Sequence, residues 1–134
     1  MSVGMIIMDK RLFLVSFIGL AGKVSGRTKL QKMIFLGQEE HSLGNTFDFQ
    51  LYHYGPYSFD LNKTLSEVII EGLVTEETVF SDTTGPQYSY SLTSEGKKFF
   101  ETNKNTANMQ AVLDNWENKS YSEIINYVYD KYVK

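Results

Sequence analysis

Gly72-Leu73-Val74-Thr75, the breaker Asp82-Thr83-Thr84-Gly85-Pro86 and the stretch Tyr88-Ser89-Tyr90-Ser91-Leu92-Thr93-Ser94-Glu95-Gly96 read in turn as a helix end, a hairpin turn and a new helix start. Gly72 can close a helix in the left-handed conformation. Leu73-Val74-Thr75 and Thr78-Val79-Phe80 supply β-branched and aromatic strand formers. On the return strand, Tyr88, Tyr90 and Leu92 alternate with Gln87, Ser89 and Ser91, giving one apolar and one polar face. Residues near 73–80 are therefore expected to pair with 87–92. Thr93 or Ser94 can cap the helix that follows, with Glu95 in its first turn. A hairpin placed this way between helices is the wing of a winged helix. The fold class expected is α+β, mostly helical: a winged helix-turn-helix with a β-hairpin wing and extra C-terminal helices.

The chain has 134 residues, which suits a single domain over 1–134, with a core over about 8–103 and a C-terminal helical extension over about 108–133. A hydrophobic share of 42% and a charged share of 22% fit a globular protein, and the absence of cysteine excludes disulfides, a thiol nucleophile and thiolate metal sites. A cytoplasmic location is consistent with that. The longest apolar run, Leu12 to Gly22, follows Lys10-Arg11 and has 11 residues. A membrane span needs about 20, so no membrane partner is expected. A signal peptide also begins with bases before a short apolar run, but no small-x-small cleavage site is clear, and the run is read as a core helix.

Net charge is −3, unevenly spread. Residues 10–38 carry six bases and no acid, whereas 39–82 carry nine acids against Lys63 alone. Such a split suggests a polarised surface whose basic part can meet phosphate.

Periodicity supplies the remaining elements. Residues 8–21 are apolar on most sides, as in a well-buried helix or one that also packs on a partner chain. Gly22-Lys23-Val24-Ser25-Gly26 ends it. A second helix is expected from about Thr28 to Glu40, with Leu30, Met33, Ile34 and Gly37 inward and Lys29 and Lys32 outward. Phe47, Phe49 and Leu51 alternate as a strand leading to Tyr52-His53-Tyr54-Gly55-Pro56-Tyr57-Ser58. Pro56 restricts Gly55, and Ser58 can cap a third helix whose inward stripe is Leu61, Leu65, Val68 and Ile69. Tyr54 and Tyr57 are read as turn or core packing. A helix from Ser94 to about Thr102, a polar joint over 103–108, and one or two helices carrying Leu113, Trp116, Ile124, Ile125, Val128, Tyr129 and Tyr132 complete the chain.

Gly26-Arg27-Thr28-Lys29-Leu30-Gln31-Lys32-Met33-Ile34-Phe35-Leu36, the aromatic strand, Tyr54-Gly55-Pro56-Tyr57-Ser58-Phe59-Asp60-Leu61 and Glu71-Gly72-Leu73 resemble the small winged-helix proteins called YwgA-like. The tail Glu123-Ile124-Ile125-Asn126-Tyr127-Val128-Tyr129-Asp130-Lys131-Tyr132 resembles the end of those chains, so the similarity spans residues 10–132. Lys29-Leu30-Gln31-Lys32 and Tyr54-Gly55-Pro56 also resemble the Panacea or SocA-like antitoxin module, and Leu92-Thr93-Ser94-Glu95-Gly96 resembles the wing exit of MarR-like and PadR-like regulators. The resemblance implies a winged helix with a regulatory or DNA-linked role and supplies no catalytic residue.

The function expected is a transcriptional regulator that binds double-stranded DNA, with a protein-interaction module of antitoxin or adaptor type as the alternative. Candidate DNA contacts are Arg27, Lys29 and Lys32 for the phosphates, and Ser58, Asn62, Lys63 and Ser66 at the third helix. The third helix opposes this, because its outward residues Asp60, Asn62, Lys63, Ser66, Glu67, Ile70 and Glu71 include no arginine and more acid than base. About 17 residues also separate helices two and three, where a compact motif has a turn of three or four. Arg27 lies at a helix start, where the dipole disfavours a cation, so it calls for a partner, either a phosphate or an acidic surface from 39–77. A charge stripe such as Lys29 and Lys32 also suits a plain solvated face. His41 and His53 lack metal-ligand spacing, and no nucleotide or nucleophile motif is present, so no enzyme, cofactor or metal is expected. Ile124, Ile125, Val128, Tyr129 and Tyr132, with helix one, offer apolar surface for a homodimer, unless the tail packs back on helix one.

Overall fold

The computed structural model describes residues 3–52, 55–81 and 85–134, with side chains from Lys10 onward except that of Ser81. His53, Tyr54 and the turn residues Asp82, Thr83 and Thr84 lie outside the described residues. The chain is α+β. Its elements are α1 (Val3–Ala21), β1 (Val24–Ser25), α2 (Arg27–Glu40), β2 (Gln50–Tyr52), β3 (Gly55–Tyr57), α3 (Phe59–Ile70), β4 (Val74–Ser81), β5 (Gly85–Leu92), α4 (Ser94–Asn103), α5 (Met109–Trp116) and α6 (Tyr121–Val128). The last helix winds into a π-helical end over Tyr129–Val133.

β4 and β5 form an antiparallel hairpin in register from Val74 opposite Leu92 to Ser81 opposite Gly85, as the alternation on the return strand implies. Gly72 closes the preceding turn with φ of 79°. Thr93 takes the cap of α4, its hydroxyl accepting the Gly96 N–H at 2.9 Å. The sheet also holds a strand not expected from sequence: β1 pairs with β5 through Val24 opposite Tyr90, giving the order β1-β5-β4. Val24 was read only as part of a helix end, yet it is buried.

Leu14, Val15, Phe17 and Ile18 of α1 are all fully buried, packed under α3, α4, α5 and β5. The apolar stretch of α1 from Leu14 to Ile18 is thus covered within one chain. The C-terminal tail behaves likewise, though on α2 and not on α1. Ile124 and Val128 are buried, and the Tyr132 ring meets Phe35 edge-on at 4.9 Å. Of the surface from which a homodimer was expected, Ile124 and Val128 are covered and Tyr129 stays exposed.

The aromatic strand is shorter than its alternation suggests. Phe47 donates its N–H to Gln38 Oε1 and accepts Gln38 Nε2 through its carbonyl, both at 3.0 Å, so its backbone is not free for a strand ladder. Pairing begins only at Gln50, opposite Tyr57, and Leu51 is 63% exposed.

Candidate functional site

Gln31 lies seven residues before Gln38, on the same face of α2, and makes the same kind of two-point contact. Its Nε2 donates to the Ser58 carbonyl and its Oε1 accepts the Ser58 N–H, each at 2.9 Å and buried. The start of α3 is thereby fixed against the start of α2. Ser58 is fully buried, and its Oγ accepts the Leu61 N–H at 2.9 Å. It caps α3 as the sequence suggests, but it is closed to a phosphate, which corrects its assignment as a DNA contact.

The cations of α2 are also engaged inside the chain. Lys32, expected to point outward, is only 6% exposed, and its Nζ donates to the Pro56 carbonyl at 2.7 Å. Burial lowers its pKa from the ordinary lysine value. The reason for its burial is tertiary: the β2–β3 hairpin folds over the middle of α2. Lys29 is half-buried, and its Nζ donates to the Glu117 carbonyl at 2.6 Å. Gly26 donates its N–H to the Tyr88 carbonyl at 2.6 Å, tying the start of α2 to β5 and aiming Arg27 at the hairpin. There Arg27 Nε donates to the Tyr90 hydroxyl at 2.7 Å, and Nη2 meets Glu76 Oε2 at 2.9 Å. Its guanidinium stands 4.7 Å from the Tyr88 ring centre. Tyr90 is fully buried and donates to the same Glu76 oxygen at 2.6 Å. The hydrogen bonds to Glu76 and Tyr90 raise the pKa of Arg27, and those from Tyr90 and Arg27 lower that of Glu76. The acidic partner sought for Arg27 in residues 39–77 is Glu76.

Two further pairs join the basic stretch to the acidic one, Lys10 with Asp60 at 2.7 Å and Arg11 with Glu71. The charge split along the sequence is thus partly an internal complementarity between α1 or α2 and the α3–β4 segment. Of the expected third-helix contacts, Lys63 and Ser66 are exposed and Asn62 is half-buried. The structure does not bring Arg27, Lys29 and Lys32 together as an open cationic face.

It instead opens a cleft of about 850 Å³ between the starts of α2 and α3, the β2–β3 hairpin and α6. Leu30, Leu61, Leu65 and Ile125 form its aliphatic wall, and Tyr52, Tyr57, Phe59, Tyr121 and Tyr129 its aromatic one. Phe59 meets Tyr57 and Tyr52 edge-on at 5.0 and 5.6 Å. Lys32, Gly55 and Asn62 are among its polar lining. The sequence signal for this cleft was Tyr57 beside Gly55-Pro56, read there as turn or core packing. Tyr121 and Tyr129, eight residues apart on the last helix, carried no local sign that they would face it.

No family model matches the chain. It is 32% identical over 109 residues, or 79% of its length, to "Uncharacterized protein YwgA" of Bacillus subtilis (strain 168). The chain spans 58% of the length of that relative.

Proposed function

We propose that this chain is a YwgA-like protein-interaction module on a winged-helix frame, of adaptor or antitoxin type, and not a reader of duplex DNA. The order α1, β1, α2, α3, β4, β5 with a three-stranded antiparallel sheet supports the winged-helix assignment. The observation that carries the function is that Lys32 is buried on the Pro56 carbonyl, Lys29 is half-buried on the Glu117 carbonyl and the surface cation Arg27 is paired with Glu76, so the several free cations that phosphate neutralisation needs would have to be released from these contacts. In their place α3 and the hairpin present apolar side chains: Ile70 is 84% exposed and Phe80 77%. A shallow depression between α3 and β4 is lined by Leu65, Ile69 and Ile70 with Asn62, Ser66 and the Arg27–Glu76 pair, so its one cation is already matched by a carboxylate, which supports an apolar partner surface over a sugar-phosphate backbone.

Fluorescence anisotropy with a mixed-sequence duplex at about 50 mM salt tests this proposal. No binding is expected, and a photo-crosslinking residue at position 70, but not at exposed position 95, is expected to yield a discrete protein adduct in cells. Tight binding whose affinity falls steeply with salt, with a slope that flattens in the Arg27→Ala/Lys29→Ala/Lys32→Ala variant, would restore the DNA reading. Light scattering at micromolar concentration is expected to read a monomer, since α2 covers Ile124 and Val128.

A further inference from the structure

The cleft has a feature that neither a solvated helix face nor a packed core explains. Lys32 is more than nine-tenths buried, lines the cleft, and pairs with no carboxylate among the described residues. An ammonium has three N–H donors, and among the described residues the acceptor it meets is the Pro56 carbonyl. The buried Gly55 backbone packs beside it, with the Val133 side chain close by. The φ of Gly55 is +112°, a conformation that L side chains rarely adopt, and a Cβ there would stand 3.5 Å from Lys32 Nζ. A buried unpaired charge is retained at a cost unless something compensates it.

The rest of the lining defines the compensating group. The Gln31 amide is used by Ser58, the Ser58 hydroxyl by α3, and Arg27, the second cation of the lining, by Glu76 and Tyr90, so Lys32 is the cleft cation that no carboxylate pairs among the described residues. That suits a singly charged anion better than a phosphate, which calls for several donors. Beyond Lys32 the walls are aromatic and aliphatic, and the Asn62 amide at the α3 side has no hydrogen-bond partner among the described residues. A volume of about 850 Å³ is on the scale of a small-molecule site. We infer that this cleft binds a small apolar carboxylic acid, whose carboxylate pairs with Lys32 and whose hydrocarbon or aryl tail lies among Tyr52, Tyr57, Phe59, Tyr121 and Tyr129. The inference stands apart from the partner surface proposed on α3 and β4, and fails or holds without it.

Titration calorimetry of the full chain with 4-phenylbutyrate and with octanoate tests the site, each acid being compared with its primary amide. At least one acid is expected to bind, and its amide to bind roughly tenfold more weakly or worse, because only the anion compensates Lys32. Lys32→Met should abolish the difference between acid and amide, and Phe59→Ala, at an exposed wall position, should weaken both forms together. The acid-to-amide comparison uses the parent chain, so it decides the matter even where Lys32→Met fails to fold. Equal affinity for acid and amide would overturn the inference. So would an acid preference that survives in folded Lys32→Met, or no binding of either acid up to about 5 mM. A peptide ending in phenylalanine with a free carboxylate that binds roughly tenfold tighter than either acid would overturn the small-molecule occupant in favour of a protein terminus.

Discussion

Gln31 replaces two backbone partners of Ser58 at once, so Gln31→Leu leaves a buried N–H and a buried carbonyl unpaired at the start of α3. Each unsatisfied buried group costs about 1–3 kcal/mol, and urea unfolding of this variant should show a loss of at least about 2 kcal/mol. The matching change at the half-buried Gln38 should cost less, because water can reach Phe47 more easily. Glu40 gives a pH test. Burial raises its pKa, but hydrogen bonds from Lys131 at 2.7 Å, Tyr132 at 2.6 Å and Tyr127 outweigh that and hold it below the ordinary value of 4.5. In the window between the folded pKa and 4.5 the unfolded chain binds more protons, so stability rises with pH there. The contribution is complete above the unfolded pKa and is lost as pH falls through the folded one. Glu40→Gln should therefore be less stable than the parent at neutral pH, and the gap should close as pH falls from 4.5 through the lower folded pKa, followed by thermal melts across the range.

Among the elements, the hairpin is held at its base and at the third pair along it. At its base, the Thr93 N–H donates to the Leu73 carbonyl at 3.0 Å, and Gly96 lies directly against the Leu73 backbone. A methyl group there would collide with a carbonyl that cannot move aside as a flexible side chain would. Gly96→Ala should consequently destabilise the fold by about 1–3 kcal/mol, although alanine is the better helix former, and calorimetric melting would register it as a lower Tm. Replacement at exposed Lys97 is the control. Further along the hairpin, Tyr90 and Arg27 converge on Glu76. Tyr90→Phe removes a buried hydroxyl that serves both partners, and a loss of about 1–2 kcal/mol is expected in the same measurement. In a double-mutant cycle, most of that loss should vanish when Glu76 is already alanine.

Over the whole molecule, the stretch from 121 to the C-terminus acts as a wall of the core and of the cleft together. Ile124 and Val128 are buried on α2, the Tyr127 ring lies 4.7 Å from that of Trp116, and Tyr121 and Tyr129 face the cleft. Ile124→Ala should lower unfolding free energy by about 2–4 kcal/mol, as for other large-to-small core changes. Hydrogen exchange should rise first at the α2 amides beneath it. The exposed pairs Lys98 with Glu95 and Lys104 with Glu101 should contribute little in comparison, because exposed ion pairs are worth roughly 0–1 kcal/mol.

What the sequence determined by itself was local. Gly72, the Tyr88–Leu92 alternation, Thr93, Ser58 and the stripe of Leu61, Leu65 and Val68 specify their own backbone or their own buried face, and the structure has the corresponding turn, hairpin, caps and helix. A cation at the first turn of α2 was enough to call for an acidic partner, because the dipole effect is local too. Which acid answered, Glu76 on β4, was decided 49 residues away by the pairing of the hairpin with α2. The tertiary structure likewise decided that Lys32 is buried, that Phe47 spends its hydrogen bonds on Gln38, that Val24 makes a third strand and that the tail covers α2. Periodicity records which residues share a face, but a lysine's long apolar stem suits a solvated face and a covered one equally. Only the segment that packs across it, here Gly55–Tyr57, turns a stripe of charge into the closed end of a cleft.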